Sequence, residues 1–440
     1  MPRKFISAGA LFTRLQRSLA YLTVGGEWAL NHAPAVRRNL HWFWFDGFFA
    51  SASDNIYLTY LTVYVLALGA SSAQIGLMSA LASLSSALVL LPGALLVERI
   101  GRRKQIVVVS SFVARTSFLL LALIPLLLQD QPLVIAAIAL AVIRDTFSNL
   151  HYPAWMSLTG DIVPLEGRGH YFASRNFVMS LAAMLVTLIA GMVITRSQGL
   201  GGYQAVLAGA ALLGFSATFC FGQIGDRRRA VPTRKSAFNP AMLWRDLRSS
   251  PFFLALCAAM ALWNFALNIA GPFFTVHLVQ NLNASGTMVA LTAIATSISG
   301  MVAQRRLGPL VDRIGAHRLL VISSLLIPTT PVAWAFVTAP WQVILINLVG
   351  GGLWAAFNLA SFNYLLTQMP DETRPRLSAV YQVVQLASLA AGAALGGQLV
   401  AHWGYAAVFL ISASGRVIAG LLFSRLAPEE QRRKQQAARR

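Results

Sequence analysis

Apolar runs of about 20 residues recur along this chain, and each is long enough to cross a lipid bilayer as a helix. Lipid offers the backbone no hydrogen-bond partners, so a spanning segment is either a helix or a strand of a closed barrel. The runs are continuous rather than alternating, which favours helices. Only 11% of the residues are charged, against about 25% in typical soluble domains. The sequence therefore predicts an all-α membrane protein.

Twelve transmembrane helices are predicted, in two pseudo-symmetric six-helix bundles. The predicted spans are residues 41–67, 73–97, 105–128, 132–157, 174–195, 203–222, 252–279, 286–308, 318–338, 341–367, 377–400 and 405–424. The chain divides into an N-terminal segment (1–40), a first bundle (41–222), a linker (223–250), a second bundle (251–424) and a basic tail (425–440).

The distribution of basic residues predicts the orientation. A net charge of +20 would suggest nucleic acid as the partner of a soluble protein. In a membrane protein, Lys and Arg instead concentrate on cytoplasmic loops. If both termini are cytoplasmic, all but four of the 35 Lys and Arg residues lie on that side or at span ends abutting it. The exceptions are Arg196, Arg115, Arg144 and Arg416.

The N-terminal segment is too interrupted by charge to be a span. Apolar residues from Phe5 to Leu22 recur at a spacing of three or four, which suits a helix lying on the inner leaflet. A disordered basic tail fits the same residues equally well. A short surface helix is also predicted at "MLWRDL" (242–247) in the linker.

A repeated motif relates the two halves. "GALLVERIGRRK" (93–104) and "GPLVDRIGAHR" (308–318) align at a shift of 214 residues, which also places Asp54 on Asn268. Two homologous halves of six spans are typical of duplicated transporters.

With this motif in both halves, the chain resembles the major facilitator superfamily over residues 40–425. The resemblance implies alternating access between two bundles, with helices 1, 4, 7 and 10 lining a central cavity. It also implies that Glu98 gates the protein by contacting the N-terminus of helix 11. The alternative is that the basic loop only sets topology. The predicted gating residues are Glu98, Arg99, Gly101, Arg102, Arg103, Asp312, Arg313 and Gly315.

Three ionisable residues at mid-span are candidates for proton coupling, because charge inside a membrane is costly. Asp54 lies about 20 Å into the first span at 1.5 Å per residue. Arg144 and Asp145 lie at a similar depth in the fourth. We expect Asp54 and Arg144 to meet, with Asp54 or Asp145 exchanging a proton. The alternative is an ion pair with a structural role alone.

Neutral polar and aromatic residues are the candidates for lining a substrate cavity. Amides beside aromatic rings can hold a solute by hydrogen bonding and stacking. They can also tie helices together, and this alternative stays open. The candidates are Asn55, Trp263, Asn264, Asn268, Trp354, Asn358, Ser361 and Tyr364.

The sequence thus predicts a secondary transporter in the cytoplasmic membrane rather than an enzyme, with no cofactor and no metal site. The expected partners are a small-molecule substrate, protons and membrane lipids, with no nucleic acid, and the protein is expected to act as a monomer. Proton-coupled export of an amphiphilic compound is favoured. The alternatives are uptake of a sugar-like or other polar metabolite, and a non-transporting receptor or scaffold on the same fold.

Overall fold

The computed structural model describes residue 28 and residues 32–197, 199–225, 245, 247–369 and 374–426. Within these residues the secondary structure is helical, with no strand. We number the long helices α1 to α12, and four of them consist of two segments or carry an extra turn. They are α1 (Pro34–Ala67), α2 (Ser72–Ile100), α3 (Arg103–Leu123, followed by the 3-10 turn Ile124–Leu126), α4 (Asp130–Leu150 and Tyr152–Ile162), α5 (Arg168–Arg196), α6 (Gly201–Gly222), α7 (Pro251–Ala270 and Phe273–Gln280), α8 (Gly286–Ile314), α9 (Ala316–Leu326 and Thr329–Ala335), α10 (Pro340–Thr367), α11 (374–403) and α12 (405–425).

These helices agree with the twelve predicted spans. Among the described residues, ten helical stretches are long and apolar enough to cross a membrane, and the last of them, Leu377–Arg425, contains both α11 and α12. α1 is not one of the ten, and its centre carries the polar residues Ser51, Ser53, Asp54 and Asn55. The architecture is therefore an all-α membrane protein with twelve long helices.

α1 begins before the predicted residue 41. Pro34 occupies its first turn, where the missing N–H costs nothing and the fixed φ favours a helix. The interfacial helix expected before residue 28 lies outside the described residues, as do most of the linker (226–244 and 246) and the tail from residue 427.

The sequence repeat appears as two helices of equal length. α2 and α8 each have 29 residues, and each is capped at its N-terminus by a serine, Ser71 or Ser285, whose hydroxyl accepts a backbone N–H. Each ends at a glycine with positive φ, Gly101 at 64° and Gly315 at 85°. Glycine adopts this conformation without the steric penalty of a Cβ. The repeat therefore encodes a serine N-cap and a terminal glycine with positive φ in both halves.

Proline and glycine divide several helices near their middle. α7 is interrupted at Gly271-Pro272, and α9 at Pro328. Proline lacks the N–H that would continue the helical hydrogen bonding. α11 and α12 are separated by Gly404, with φ 76° and ψ 176°. The break in α7 leaves Gly271 next to the cavities described below.

The two halves meet at one end of the bundle, which we call the closed end and which carries residues 67–72, 196–197, 199–201, 280–286 and 400–405. Hydrogen bonds cross between the halves there. Tyr60 Oη donates to Gly286 O at 3.1 Å, the Thr195 and Thr287 hydroxyls lie 2.9 Å apart, and Ser72 Oγ lies 3.1 Å from Tyr405 Oη. These contacts hold the halves together at this end.

Glycines allow the helices of the two halves to approach closely at the closed end. A Cβ added to Gly76 on α2 would lie 2.7 Å from the carbonyl oxygen of Ala393 and 2.9 Å from the Cα of Gly397, both on α11. A Cβ added to Gly191 on α5 would lie 2.6 Å from Gly286 O. A side chain at either glycine would separate the halves.

Candidate functional site

A cluster of four charged side chains lies in the middle of the first half. The carboxylate of Asp54 on α1 accepts hydrogen bonds from Arg144 Nη2 at 2.5 Å and from Arg115 Nη2 at 3.2 Å. Arg115 Nη1 also donates to the same carboxylate. Arg144 Nη1 donates to Asp145 at 2.7 Å, so Arg144 joins two aspartates. The charge cluster thus contains two carboxyl groups and two guanidinium groups.

Aromatic rings and a hydroxyl hold the two arginines in place. The Arg144 guanidinium lies 4.2 Å from the centroid of the Tyr57 ring, within the range of a cation–π contact. Arg115 lies 5.5 Å from the Phe118 ring, and its Nη1 is 3.4 Å from Ser53 Oγ. Both arginines are buried, whereas the Asp54 side chain is 33% exposed. The two aspartates are therefore the partly exposed members of the charge cluster, with the Asp145 side chain 22% exposed.

Sequence reasoning paired Asp54 with Arg144, and the structure brings these two side chains together. It did not find Arg115, which comes from α3 and binds the same carboxylate through two nitrogens. The available signal was that Arg115 is also ionisable at mid-span, and such groups are functional candidates by default. Whether the charge cluster carries a proton stays a prediction.

Two cavities lie beside the charge cluster, between the halves. The larger has a volume of about 560 Å³ and the smaller about 480 Å³. Both are lined by Leu58 of α1 and by Asn268 and Gly271 of α7. Leu58 is one helical turn from Asp54, on the same face of α1. Asp145 lines the smaller cavity directly. The charge cluster therefore adjoins the space where a solute of ordinary size can fit.

Two of the predicted cavity residues line these cavities. Asn268 lines both, and its Nδ2 donates to Leu389 O on α11 at 2.8 Å. Trp354 lines the larger cavity. Asn55 donates to Ser51 O on its own helix, and Ser361 to Asn358 O, so these side chains satisfy local hydrogen bonds.

Three other predicted cavity residues lie in the core of the second half instead. Trp263 is buried and stacks on Phe357, with ring centroids 4.5 Å apart. Asn264 is buried and donates to Met260 O on its own helix at 2.8 Å. Tyr364 is buried and donates to Leu426 O. These side chains pack or tie helices together, as polar residues commonly do in membrane bundles.

The predicted gating residues lie at the opposite end of the bundle from the closed end. Gly101 and Gly315 follow the last residues of α2 and α8. Both have positive φ, with ψ near 2° at Gly101 and 148° at Gly315. Arg103 donates to Asp161 at 2.7 Å and to Ser157 at 2.9 Å, both on α4. Arg102 reaches Gln105 at 3.4 Å, while Arg99 and Arg313 are exposed. The side chains of Glu98 and Asp312 lie outside what the structure describes.

Two further buried arginines were not predicted to have a role. Arg175 lies 3.5 Å from the carboxylate of Asp46, toward the end of α1 that is remote from the closed end. Arg416 on α12 is buried and lines the larger cavity. Within the described part of the chain, no group of three His, Cys, Asp or Glu residues is placed to hold a metal ion.

Comparison with known proteins agrees with this architecture. The sequence profile of the Major Facilitator Superfamily matches residues 43–269 and 264–440, which together cover nearly all of the spanning region. The chain belongs to the major facilitator superfamily. It is therefore an integral membrane protein and a secondary transporter of small molecules, as the repeat and the paired motifs predicted.

Curated relatives include two proteins named "Multidrug resistance protein MdtG". The one from Dickeya zeae (strain Ech586) is 23% identical over 387 residues, which cover 86% of this chain and 91% of the relative. The one from Serratia proteamaculans (strain 568) is 22% identical over 386 residues, with 86% and 90% covered.

Solved transporter structures share the fold at lower identity. The nucleoside transporter NupG has a TM-score of 0.69 at 12% identity, covering 90% of this chain and 99% of that one. A D-xylose–proton symporter has a TM-score of 0.65 at 17% identity, covering 88% and 96%. These likenesses show that this transporter has the fold common to these proteins.

Proposed function

We propose that this transporter exports amphiphilic organic compounds in exchange for protons. The observation that carries the proposal is the position of the charge cluster, with Asp54 one helical turn from Leu58, a wall residue of both cavities. The curated relatives are named for multidrug resistance, which supports export. The solute is expected in the larger cavity, where Trp354 and Trp334 offer apolar rings beside the amide of Asn268.

A proton on Asp54 changes the balance of the charge cluster. Ionised Asp54 attracts both Arg115 and Arg144, which come from different helices. A protonated carboxyl no longer neutralises the two guanidinium groups, so they repel each other. Arg144 still has its ion pair with Asp145. The relative stability of two helix arrangements then depends on proton occupancy, which is the condition for coupling. Asp145 is the competing proton site, because it also faces a cavity.

The orientation follows the basic residues. We place both termini in the cytoplasm, so that the closed end faces the outside of the cell. The structure then corresponds to a state closed on the outside, in which a cytoplasmic solute is taken up before export. Exchange of protons for solute then supplies the driving energy for export.

The test is a flux screen in proteoliposomes with an imposed pH gradient. A set of amphiphilic dyes of different charge is offered to wild type and to Asp54→Asn. An acidic lumen is expected to drive dye inward through wild type, because protons leave as dye enters. Asp54→Asn is expected to lose this gradient-driven accumulation while keeping dye–dye exchange, since the amide binds no proton.

Asp46→Asn is the matched control, because Asp46 is another aspartate of α1 paired with an arginine, and it lines neither cavity. It should keep gradient-driven transport. Full pH-driven transport by Asp54→Asn would remove Asp54 from the mechanism and leave Asp145 as the proton site.

Uptake of a polar metabolite is the second candidate. The hydroxyl and amide groups of Thr275, Thr292 and Asn347 in the wall of the larger cavity favour it. A proton symporter would accumulate solute when the exterior rather than the lumen is acidic. The same liposomes with the gradient reversed, and with sugars in place of dyes, separate the two functions.

A further inference from the structure

Four arginines are buried in the described part of the bundle, namely Arg115, Arg144, Arg175 and Arg416. The first three each lie within 4 Å of an aspartate carboxylate, which offsets the cost of burying the charge. For Arg416, no carboxylate among the described residues lies within that distance. Arg416 is also the most buried of the four, at 1% exposure.

The hydrogen bonds that the protein gives Arg416 are poor. Its Nη2 donates to Leu267 O over 3.4 Å, at the long limit for such a bond. The same carbonyl already accepts the backbone N–H of Gly271 at 3.0 Å. Arg416 Nε has no acceptor within the described chain. A buried, charged donor without adequate acceptors is rare in folded proteins, and it points to an acceptor that is not part of the protein.

The larger cavity gives that acceptor a place. Arg416 forms part of its wall, and the other residues of the wall are neutral. The cavity volume of about 560 Å³ accommodates a drug-sized molecule. Thr292 and Thr296 also line it, but their hydroxyls already donate to backbone carbonyls at 2.8 and 3.2 Å. Arg416 is therefore the charged donor available to a ligand in this cavity.

Apolar surface completes the site. Trp334, Trp354, Phe274 and Leu278 line the same cavity as Arg416. Aromatic and aliphatic walls around a single charge are suited to a molecule with an apolar body and one anionic group. A guanidinium binds a carboxylate, sulfonate or phosphate through paired hydrogen bonds.

We propose that the larger cavity binds an amphiphilic organic anion, with Arg416 as the partner of the anionic group and the tryptophans against the apolar body. This proposal rests on the proposed export function, which identifies the larger cavity as the transport site. It narrows the substrates from amphiphilic compounds in general to anionic ones.

The test compares two ligands that share a ring and differ in charge. Binding of 2-naphthoate and of its neutral analogue 2-naphthamide is measured by isothermal titration calorimetry on the full chain in a non-ionic detergent. Wild type should bind naphthoate at least tenfold more tightly. Arg416→Gln should lose about this factor for naphthoate and leave naphthamide unchanged, because only the charge-assisted hydrogen bonds are removed.

Arg416→Lys keeps the charge, so it should retain the preference for naphthoate even if the glutamine variant does not fold. Arg196→Gln removes an exposed arginine at the end of α5 and controls for non-specific attraction of anions. It should bind both ligands as wild type does. Equal affinity of wild type for the two ligands, or binding of neither, would overturn the anion site.

Two further outcomes are distinct. Displacement of naphthoate by phosphatidylglycerol in the same detergent would assign the cavity to a lipid headgroup instead of a soluble anion, and would overturn the substrate class. The binding assay involves no gradient. Loss of pH-driven flux with an intact naphthoate preference would refute the proposed export and leave the anion site standing.

Discussion

Gly191 offers a direct test of how the halves close. In α5, a Cβ at this position would lie 2.6 Å from both Gly286 O and Tyr60 Oη. Ordinary van der Waals contact begins near 3.4 Å, so Gly191→Ala requires the halves to separate by about 0.8 Å at this point. Neither obstacle yields easily, because one is backbone and the other is a hydroxyl held within hydrogen-bond distance of two carbonyl oxygens, Thr187 O at 2.9 Å and Gly286 O at 3.1 Å.

The cost of that separation falls on one conformation. Overpacking of this kind costs about 1–3 kcal/mol. The contact with Gly286 O exists only where the halves touch, so the state in which the halves separate at this end does not bear that part of the cost, whereas the contact with Tyr60 lies within one half and is common to both states. A difference of about 1–3 kcal/mol changes the ratio of the two states by roughly 5–150-fold. Gly191→Ala should therefore shift the population away from the state seen here.

Cysteine cross-linking measures this shift. Thr195 and Thr287 face each other across the same interface with hydroxyls 2.9 Å apart, so cysteines at both positions should form a disulfide under mild oxidation. Adding Gly191→Ala should reduce the cross-linked fraction. Gly209→Ala is the control, since a Cβ there meets no atom within 4 Å. An unchanged cross-linked fraction in folded Gly191→Ala protein would refute the idea that this interface sets the state.

Three other changes test the charge cluster, the gating motif and the topology. Arg115→Gln should destabilise the protein by about 1–3 kcal/mol in thermal unfolding, less than for a fully buried pair, because Asp54 keeps Arg144 and is partly exposed; an unchanged melting temperature would make Arg115 dispensable. Glu98→Gln should raise hydrogen exchange at the cytoplasmic ends of α2 and α11, because the predicted contact between this carboxylate and the N-terminus of α11 stabilises the protein by about 0.3–1 kcal/mol. Equal exchange in both proteins would remove the gating role. A cysteine at Ser236 should resist impermeant reagents in intact cells, whereas ready labelling would reverse the orientation.

The local features of the fold were predictable because short-range chemistry determines them. Ser71 and Ser285 cap helices through their own hydroxyls, and Gly101 and Gly315 end them through φ values that other residues resist. These signals lie within a few residues of one another. Apolar length likewise predicts a spanning helix without reference to any partner.

The rotation of each helix about its axis was harder to predict, and the choice of residues that line the cavity depended on it. In a soluble protein, the polar face of a helix shows which side faces water. In a membrane, lipid is as apolar as the core, so the sequence carries little of that signal. Trp263 and Trp354 therefore looked equivalent, although Trp263 is in the core and Trp354 lines the cavity. The charge of Arg115 indicated that it faces the bundle interior, but not that Asp54 would be its partner.

One pair of equivalent positions in the two halves carries different residues. The difference fits our proposals that the first half binds the proton and the second half binds the solute. Asp54 and Asn268 occupy equivalent positions of the repeat. In the first half the position is a carboxylate bound to two arginines, so its charge is neutralised by the protein itself. In the second half it is an amide that lines both cavities and leaves Arg416 without a carboxylate among the described residues. An aspartate at 268 would bring a negative charge into the wall that Arg416 shares and would compete with an anionic solute for it. The acid in one half and the amide in the other therefore allow the first half to hold the proton and the second to hold the solute, with Leu58 and Asn268 between them.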